Sequence, residues 1–239
     1  MIKLVDLLSE FPMKVDNATT IPELMKSVLA MPTLNSKEML SATSKINEEG
    51  LYFWYLSPEG AKRWEKVLSL TTGKPQSVSY CKTNDEGNYL VYVGLAASPS
   101  KKKGGLNSRL NGHIGSDNPR ASSLRNKIFQ VLFPSVDVGD DFTIYKKNIQ
   151  HGGGQWHTKY KAEYDKFIAE NFRFNFLKAS DLDLDKDTSV KDAIHQIEVN
   201  FIESCVLHFN KASVPDKFLQ FSLDKISPSK PIIRKKYNP

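Results

Sequence analysis

The chain has 239 residues, 40% of them hydrophobic and 25% charged, enough for a packed core in one large domain or two small ones. Its two cysteines, Cys81 and Cys205, build neither a disulfide framework nor a zinc cage, and no apolar run reaches the length of a membrane span; a cytoplasmic protein without a membrane partner is expected. The formal net charge of +6 suits a polyanionic partner, although charge alone leaves a protein that binds no nucleic acid equally open.

The N-terminal MIKLVDLLSEFPMKVD carries acids early and lacks a small-residue cleavage site, so it is not expected to be a signal peptide. LVDLLSEF and IPELMKSVLAM hold apolar residues at helical spacing, and Asn35-Ser36-Lys37-Glu38 can cap another short helix. Residues 1–45 are therefore expected to form a helical extension packed on the main body. From Gly50, GLYFWYL is aromatic and β-prone, and Ser57 with Pro58 opens a helix through SPEGAKRWEKVLSL. SVSYCKT and NYLVYVGLA flank NDEG, a hairpin-like turn. Helices are expected over 105–114, 122–133 and 162–170, with an irregular stretch over 135–160 around HGGGQWH. FRFNFLK, from Phe172, alternates phenylalanine with polar residues, the period of a half-buried strand. An acidic turn, DLDLDKDTS, leads into the amphipathic SVKDAIHQIEVNFIESCVLHFN, with Thr188 or Ser189 as its cap. The tail over 226–239 is basic and proline-rich, either a solvated end or an arm that touches phosphate.

Two groups of residues carry chemistry. Arg109 and His113 stand four apart and so share a helix face, while Leu106, Leu110 and Ile114 form its apolar side. Lys101, Lys102, Lys103 and a glycine pair precede this helix, so the local field is positive and suits a phosphate. An exposed basic face is the plainer alternative. Glu198 has Ile194, Phe201 and Ile202 as helical neighbours, where a carboxylate is costly unless it is paired or binds a metal. An acid at the edge of the stripe is the alternative, and Glu203 also has apolar neighbours. DLDLDKD opens like a calcium loop but has Lys186 where the sharp turn needs glycine. His151 and His157 flank a glycine loop, Cys205 reads as core, and no serine or cysteine nucleophile has a visible triad.

Read together, GLY at Gly50 to Tyr52 and YVG at Tyr92 to Gly94 resemble the two half-motifs of the GIY-YIG nuclease family. Arg109 with His113 resembles that family's helix motif, and Glu198 followed by Asn210 resembles its last motif. Glu163 and Asn175 repeat the Glu198–Asn210 separation, but Asn175 lies within the alternating strand, and the later pair follows a strand as the fold requires. Tyr80 remains an alternative to Tyr52, at the more compact spacing from Tyr92, with Val78 where the motif has glycine.

The resemblance covers roughly Gly50 to Phe218. It implies an α+β fold, a small mixed or antiparallel three-stranded sheet flanked by helices, with a core over 46–225 and insertions near 57–85 and 130–170. It also implies a metal-dependent DNA endonuclease, with Mg²⁺ or another divalent cation such as Mn²⁺ on Glu198. In that reading Arg109 stabilises phosphate charge, Tyr52 or Tyr92 activates or positions water, His113 assists proton movement, and Asn210 holds the geometry. Lys101, Lys102, Lys103 and Arg125 are candidate contacts to double-stranded DNA. Insertions of this kind are typical of type II restriction enzymes, and one active site per chain makes a homodimer or sequential nicking the route to a double-strand cut. The alternatives are a non-catalytic nucleic-acid-binding or regulatory protein of the same fold, and a repair or mobile-element nuclease. No zinc finger or long linker to a separate DNA-binding module is visible, which counts against a mobile element.

Overall fold

GLYFWYL has large side chains at every position after Gly50, so it needs cover on both faces and belongs in the middle of a sheet. In a computed structural model of the chain it forms strand β1 (Gly50–Leu56), buried along its whole length. Strands β2 (Tyr89–Ala96) and β3 (Phe172–Lys178) pair with it antiparallel on either side, giving the order β2-β1-β3. The structure describes residues 21–72, 78, 82–96, 105–116, 123–133, 154–182, 189–204, 207 and 209–210.

The helices follow in chain order as α1 (Ile21–Ala30), α2 (Ser36–Thr43), α3 (Pro58–Thr72), α4 (Leu106–Leu110), α5 (Ser123–Leu132), α6 (Gly154–Asn171) and α7 (Val190–Ser204). Alternation along β1 divides them into two layers. Tyr52, Trp54 and Leu56 face a core built with Met39 of α2, Trp64 of α3, Leu110 of α4, Ile128 of α5 and Ile168 of α6. Trp54 meets Phe172 and Phe174 of β3 edge-on there, with centroids 5.4 and 4.7 Å apart. Leu51, Phe53 and Tyr55 face the other core, with Leu24 and Val28 of α1 and Ile194 and Phe201 of α7.

The helix starts are written in the sequence. Asn35 accepts from the N–H groups of Lys37 and Glu38, both at 3.0 Å, and Glu38 reaches back to the Asn35 N–H at 2.8 Å, a complete capping box. Ser57 Oγ accepts from the Gly60 N–H at 3.0 Å, with Pro58 at the first helical position of α3. Of the two expected caps of α7, Ser189 accepts from the Asp192 N–H at 3.4 Å. In the NDEG turn Gly87 takes φ +79°, a left-handed conformation that needs glycine.

Two expectations change. β3 is not half-buried. Asn175, placed on a solvent face by alternation, is fully buried, and its amide donates to the Val28 carbonyl at 3.2 Å and to the Tyr55 hydroxyl at 3.1 Å. The cause is α1, which covers that face. Second, α6 begins at Gly154, so part of the stretch expected to be irregular is helical. A glycine at a helix's first position avoids most of the cost it carries in the interior. The segment before β1 covers both faces of the sheet. α1 packs on one face and α2 on the other, and Leu34 exchanges two backbone hydrogen bonds with Phe174 at the outer side of β3, at 2.7 and 2.9 Å.

Candidate active site

Tyr52 stands directly opposite Gly94 in the β1–β2 register. A Cβ at Gly94 would overlap the Tyr52 ring and hydroxyl, so the phenol crosses β2 through the space the glycine leaves. Gly94 does not have a positive φ, and space rather than backbone freedom is what demands glycine here. Gly94→Ala should force the ring aside at a cost of about 2 kcal/mol, lowering Tm by about 5 °C and reducing any activity that depends on Tyr52. An alanine variant with unchanged Tm would contradict this crossing.

Beyond Gly94 the Tyr52 hydroxyl lies 2.7 Å from His113 Nε2. The Tyr52 ring is 5.2 Å from the His113 ring and 6.0 Å from that of Tyr92, and the Tyr92 ring is 6.4 Å from that of His113. The three rings form a triangle beside β2.

His113 reaches this place on a π-helical turn, Asn111–Gly115, that continues α4. Leu106, Leu110 and Ile114 anchor the segment in the core, and Gly105 lets it run against the backbone of Asn47, where a Cβ would clash. Arg109 and His113 were expected to share one face. The structure separates them in depth, with Arg109 exposed and His113 only 3% exposed. Widened turns of this kind are frequent at functional sites.

Burial sets the electrostatics. It pushes His113 down to about 3, with the Arg109 and Arg125 cations adding to the effect, so the imidazole is neutral. Burial also raises Tyr52 well above the usual tyrosine value, with Tyr92 adding to the rise and Arg109 opposing it. Tyr92 is raised chiefly by burial as well. Both tyrosines are therefore neutral phenols. A neutral imidazole either accepts the Tyr52 proton at Nε2 or donates from Nε2 to the Tyr52 oxygen, and its tautomer decides which.

Glu198 comes from α7, on the opposite face of the sheet, and reaches the site because β2 is an edge strand. Part of that edge is taken by Phe209 and Asn210. The Val91 carbonyl accepts from the Phe209 N–H at 2.9 Å, and the Asn210 amide pairs with Val93, accepting its N–H at 2.9 Å and donating to its carbonyl at 2.7 Å. The Leu95 N–H faces the Glu198 carboxylate and lowers its pKa. Glu198 and Asn210 thus grip the same strand edge that presents Tyr92 and Gly94. Burial nevertheless leaves the Glu198 pKa above the ordinary glutamate value, against the lowering effects of His195, Leu95 and Arg109.

Residues 50–222 match the family model of the GIY-YIG catalytic domain. The chain belongs to the GIY-YIG family. Neither a curated protein nor a solved structure matches it. The α+β architecture, with its three-stranded antiparallel sheet flanked by helices, agrees with the core of that family. The chain carries a nuclease domain, a phosphodiester hydrolase by class.

Within the GIY-YIG domain the structure brings Tyr52, Tyr92 and His113 together, with Arg109 and Glu198 close enough to act on their charges. Tyr80 and Lys101, Lys102 and Lys103 lie outside the described residues. Glu163 is exposed on α6 and Asn175 faces α1, so those two do not meet. Arg125, expected as a contact to DNA, is only 2% exposed, and its Nη1 donates to the His113 and Ile114 carbonyls at 3.1 and 3.0 Å. His195 was not anticipated. Its Nδ1 stands 3.6 Å from Glu198, one helical turn away, and the i,i+3 spacing was the available signal.

Among the described residues, no group of three or more His, Cys, Asp or Glu could hold a metal ion. Glu198 offers one carboxylate, 18% exposed and raised by burial, which a nearby cation would relieve. That donor set fits a hard divalent cation that keeps most of its waters. Among the described residues no helix is long and apolar enough to cross a membrane.

Proposed function

We propose that this GIY-YIG protein is a metal-dependent endonuclease of restriction type acting on double-stranded DNA. The observation that carries the reading is the Tyr52 hydroxyl, 2.7 Å from a neutral His113 Nε2. A divalent cation held by Glu198, Mg²⁺ or Mn²⁺, would supply Lewis-acid stabilisation of charge on the phosphate. The chain's own groups do the rest.

Tyr52 is too weak an acid to wait as a phenolate, because burial holds its proton. A concerted relay avoids that state. The attacking water gives a proton to the Tyr52 oxygen as Tyr52 passes its own proton to His113 Nε2. Protonating His113 is opposed mainly by burial and by the Arg109 cation, and the negative phosphate arriving beside Arg109 offsets the latter. Arg109, exposed and near enough to act on the charges of Tyr52 and His113, would meet the phosphate and stabilise its growing charge. Asn210 acts at one remove, by fixing β2 at Val93 between Tyr92 and Gly94.

Arg109→Ala should lower the cleavage rate about a hundredfold while DNA affinity, measured without metal, changes little. A normal rate in that variant would remove Arg109 from the mechanism.

The segments near 57–85 and 130–170 contribute α3 and α6 to the Tyr52 side of the sheet, which supports a chain that carries its own grip on DNA. With one site per chain, a homodimer is the proposed way to cut both strands. The test is incubation of several plasmids with purified protein, with Mg²⁺ and with chelator, followed by sequencing of the ends. Metal-dependent cutting at one recurring sequence is expected. Random ends would overturn the restriction role, and DNA binding without cleavage would favour the non-catalytic alternative.

A further inference from the structure

We propose that Arg125 is a positioning residue that ties the His113 turn to helix α6 and so sets how the imidazole meets Tyr52. The catalytic readout of this inference rests on the nuclease reading above.

Nη1 of Arg125 donates to two successive carbonyls, His113 at 3.1 Å and Ile114 at 3.0 Å. Carbonyls at the end of a helical segment lack partners within it, and here a guanidinium brought from α5 supplies them. The other side of the group engages α6. Its Cζ sits 4.3 Å from the centroid of the Tyr164 ring, and Nη2 is 3.5 Å from Asp165 Oδ1, which is 37% exposed. Lys161 pairs with Asp165 as well. One side chain therefore connects α5, the catalytic turn and α6.

The chemistry calls for arginine. Its planar fork can hold carbonyls along its edge while an aromatic ring covers its face, which an ammonium cannot do. An aliphatic side chain would fill the same volume without desolvating a charge, but would leave both carbonyls unheld. The carbonyl being held belongs to His113 itself, so an error in the turn passes directly to the imidazole. A displacement of about 1 Å can cost about a hundredfold in rate.

The test uses the full chain with Arg125→Lys and Arg125→Met. Two quantities are read: kcat and KM on a duplex substrate, and the side-chain ¹⁵N resonances of His113, which report its tautomer and its bond to Tyr52. The expected result is a kcat about a hundredfold lower, a KM within about twofold of wild type, and shifted His113 resonances. A folded Arg125→Lys with wild-type kcat and wild-type resonances would overturn the proposal. A raised KM with unchanged kcat would also overturn it, making Arg125 a DNA contact. Should both variants fail to fold, Asp165→Asn keeps the carbonyl contacts and removes the anion. It should move the His113 resonances in the same direction by less, and resonances that stay in place would overturn the proposal. If the wild-type protein cuts no DNA, the nuclease reading fails, while the resonances still decide the role of Arg125.

Discussion

Glu198→Gln is expected to abolish cleavage and leave the fold intact. Glutamine keeps the shape and still offers an oxygen to the Leu95 N–H at the β2 edge, so the strand stays held. What disappears is the negative charge that would hold the metal. Losing that stabilisation is worth about 4 kcal/mol at the transition state, or about a thousandfold in rate. The same substitution makes a prediction about stability. Burial raises the Glu198 pKa in the folded protein above its unfolded value. The ionised carboxylate therefore costs stability above the folded-state pKa. That cost shrinks as pH falls through the raised value and is gone below the unfolded one. At neutral pH the glutamine variant should melt at or above the wild-type temperature, and the difference should narrow on acidification. An active Glu198→Gln enzyme would sink the assignment of the metal ligand. An inactive variant with a collapsed Tm would show only a damaged fold.

Tyr52→Phe is expected to cost about a thousandfold in kcat, the scale of losing a proton-transfer group, with duplex binding preserved. The phenyl ring can still cross β2 at Gly94, so packing is retained. His113 loses its 2.7 Å bond to the tyrosine, at about 1 kcal/mol in stability. Single-turnover cleavage by Tyr52→Phe and Tyr80→Phe separates the two candidates for the first tyrosine. If only Tyr80→Phe were impaired, the relay through His113 would be misassigned.

The architecture was legible where its signals were local. GLYFWYL, aromatic and β-prone, announced a strand, and Asn35, Ser57 and Ser189 marked helix starts by the usual capping chemistry. Tyr52 and Tyr92 were marked by the GLY and YVG half-motifs, which lie on β1 and β2. Depth was not legible. The spacing of Arg109 and His113 gives an angle around an axis, but a π turn and the cover from neighbouring helices leave one exposed and bury the other. Asn175 and Arg125 show the same limit. Each is polar in a pattern that suggests solvent, and each is enclosed by an element distant in sequence, α1 for Asn175 and α6 for Arg125. The partners that enclose them are fixed only when the chain has folded.

The two outer strands have a consequence for association. An unpaired rim is a template on which another chain can add a strand, and it invites aggregation. Leu34 occupies the rim of β3, while Phe209 and Asn210 occupy that of β2. A second copy therefore finds Phe174, Val91 and Val93 already engaged, which disfavours growth of the sheet through these positions. Asn210 accordingly serves as a gatekeeper. Replacing its amide with an aliphatic group would uncover Val93, and self-association at high protein concentration should betray the opened rim before any loss of fold does.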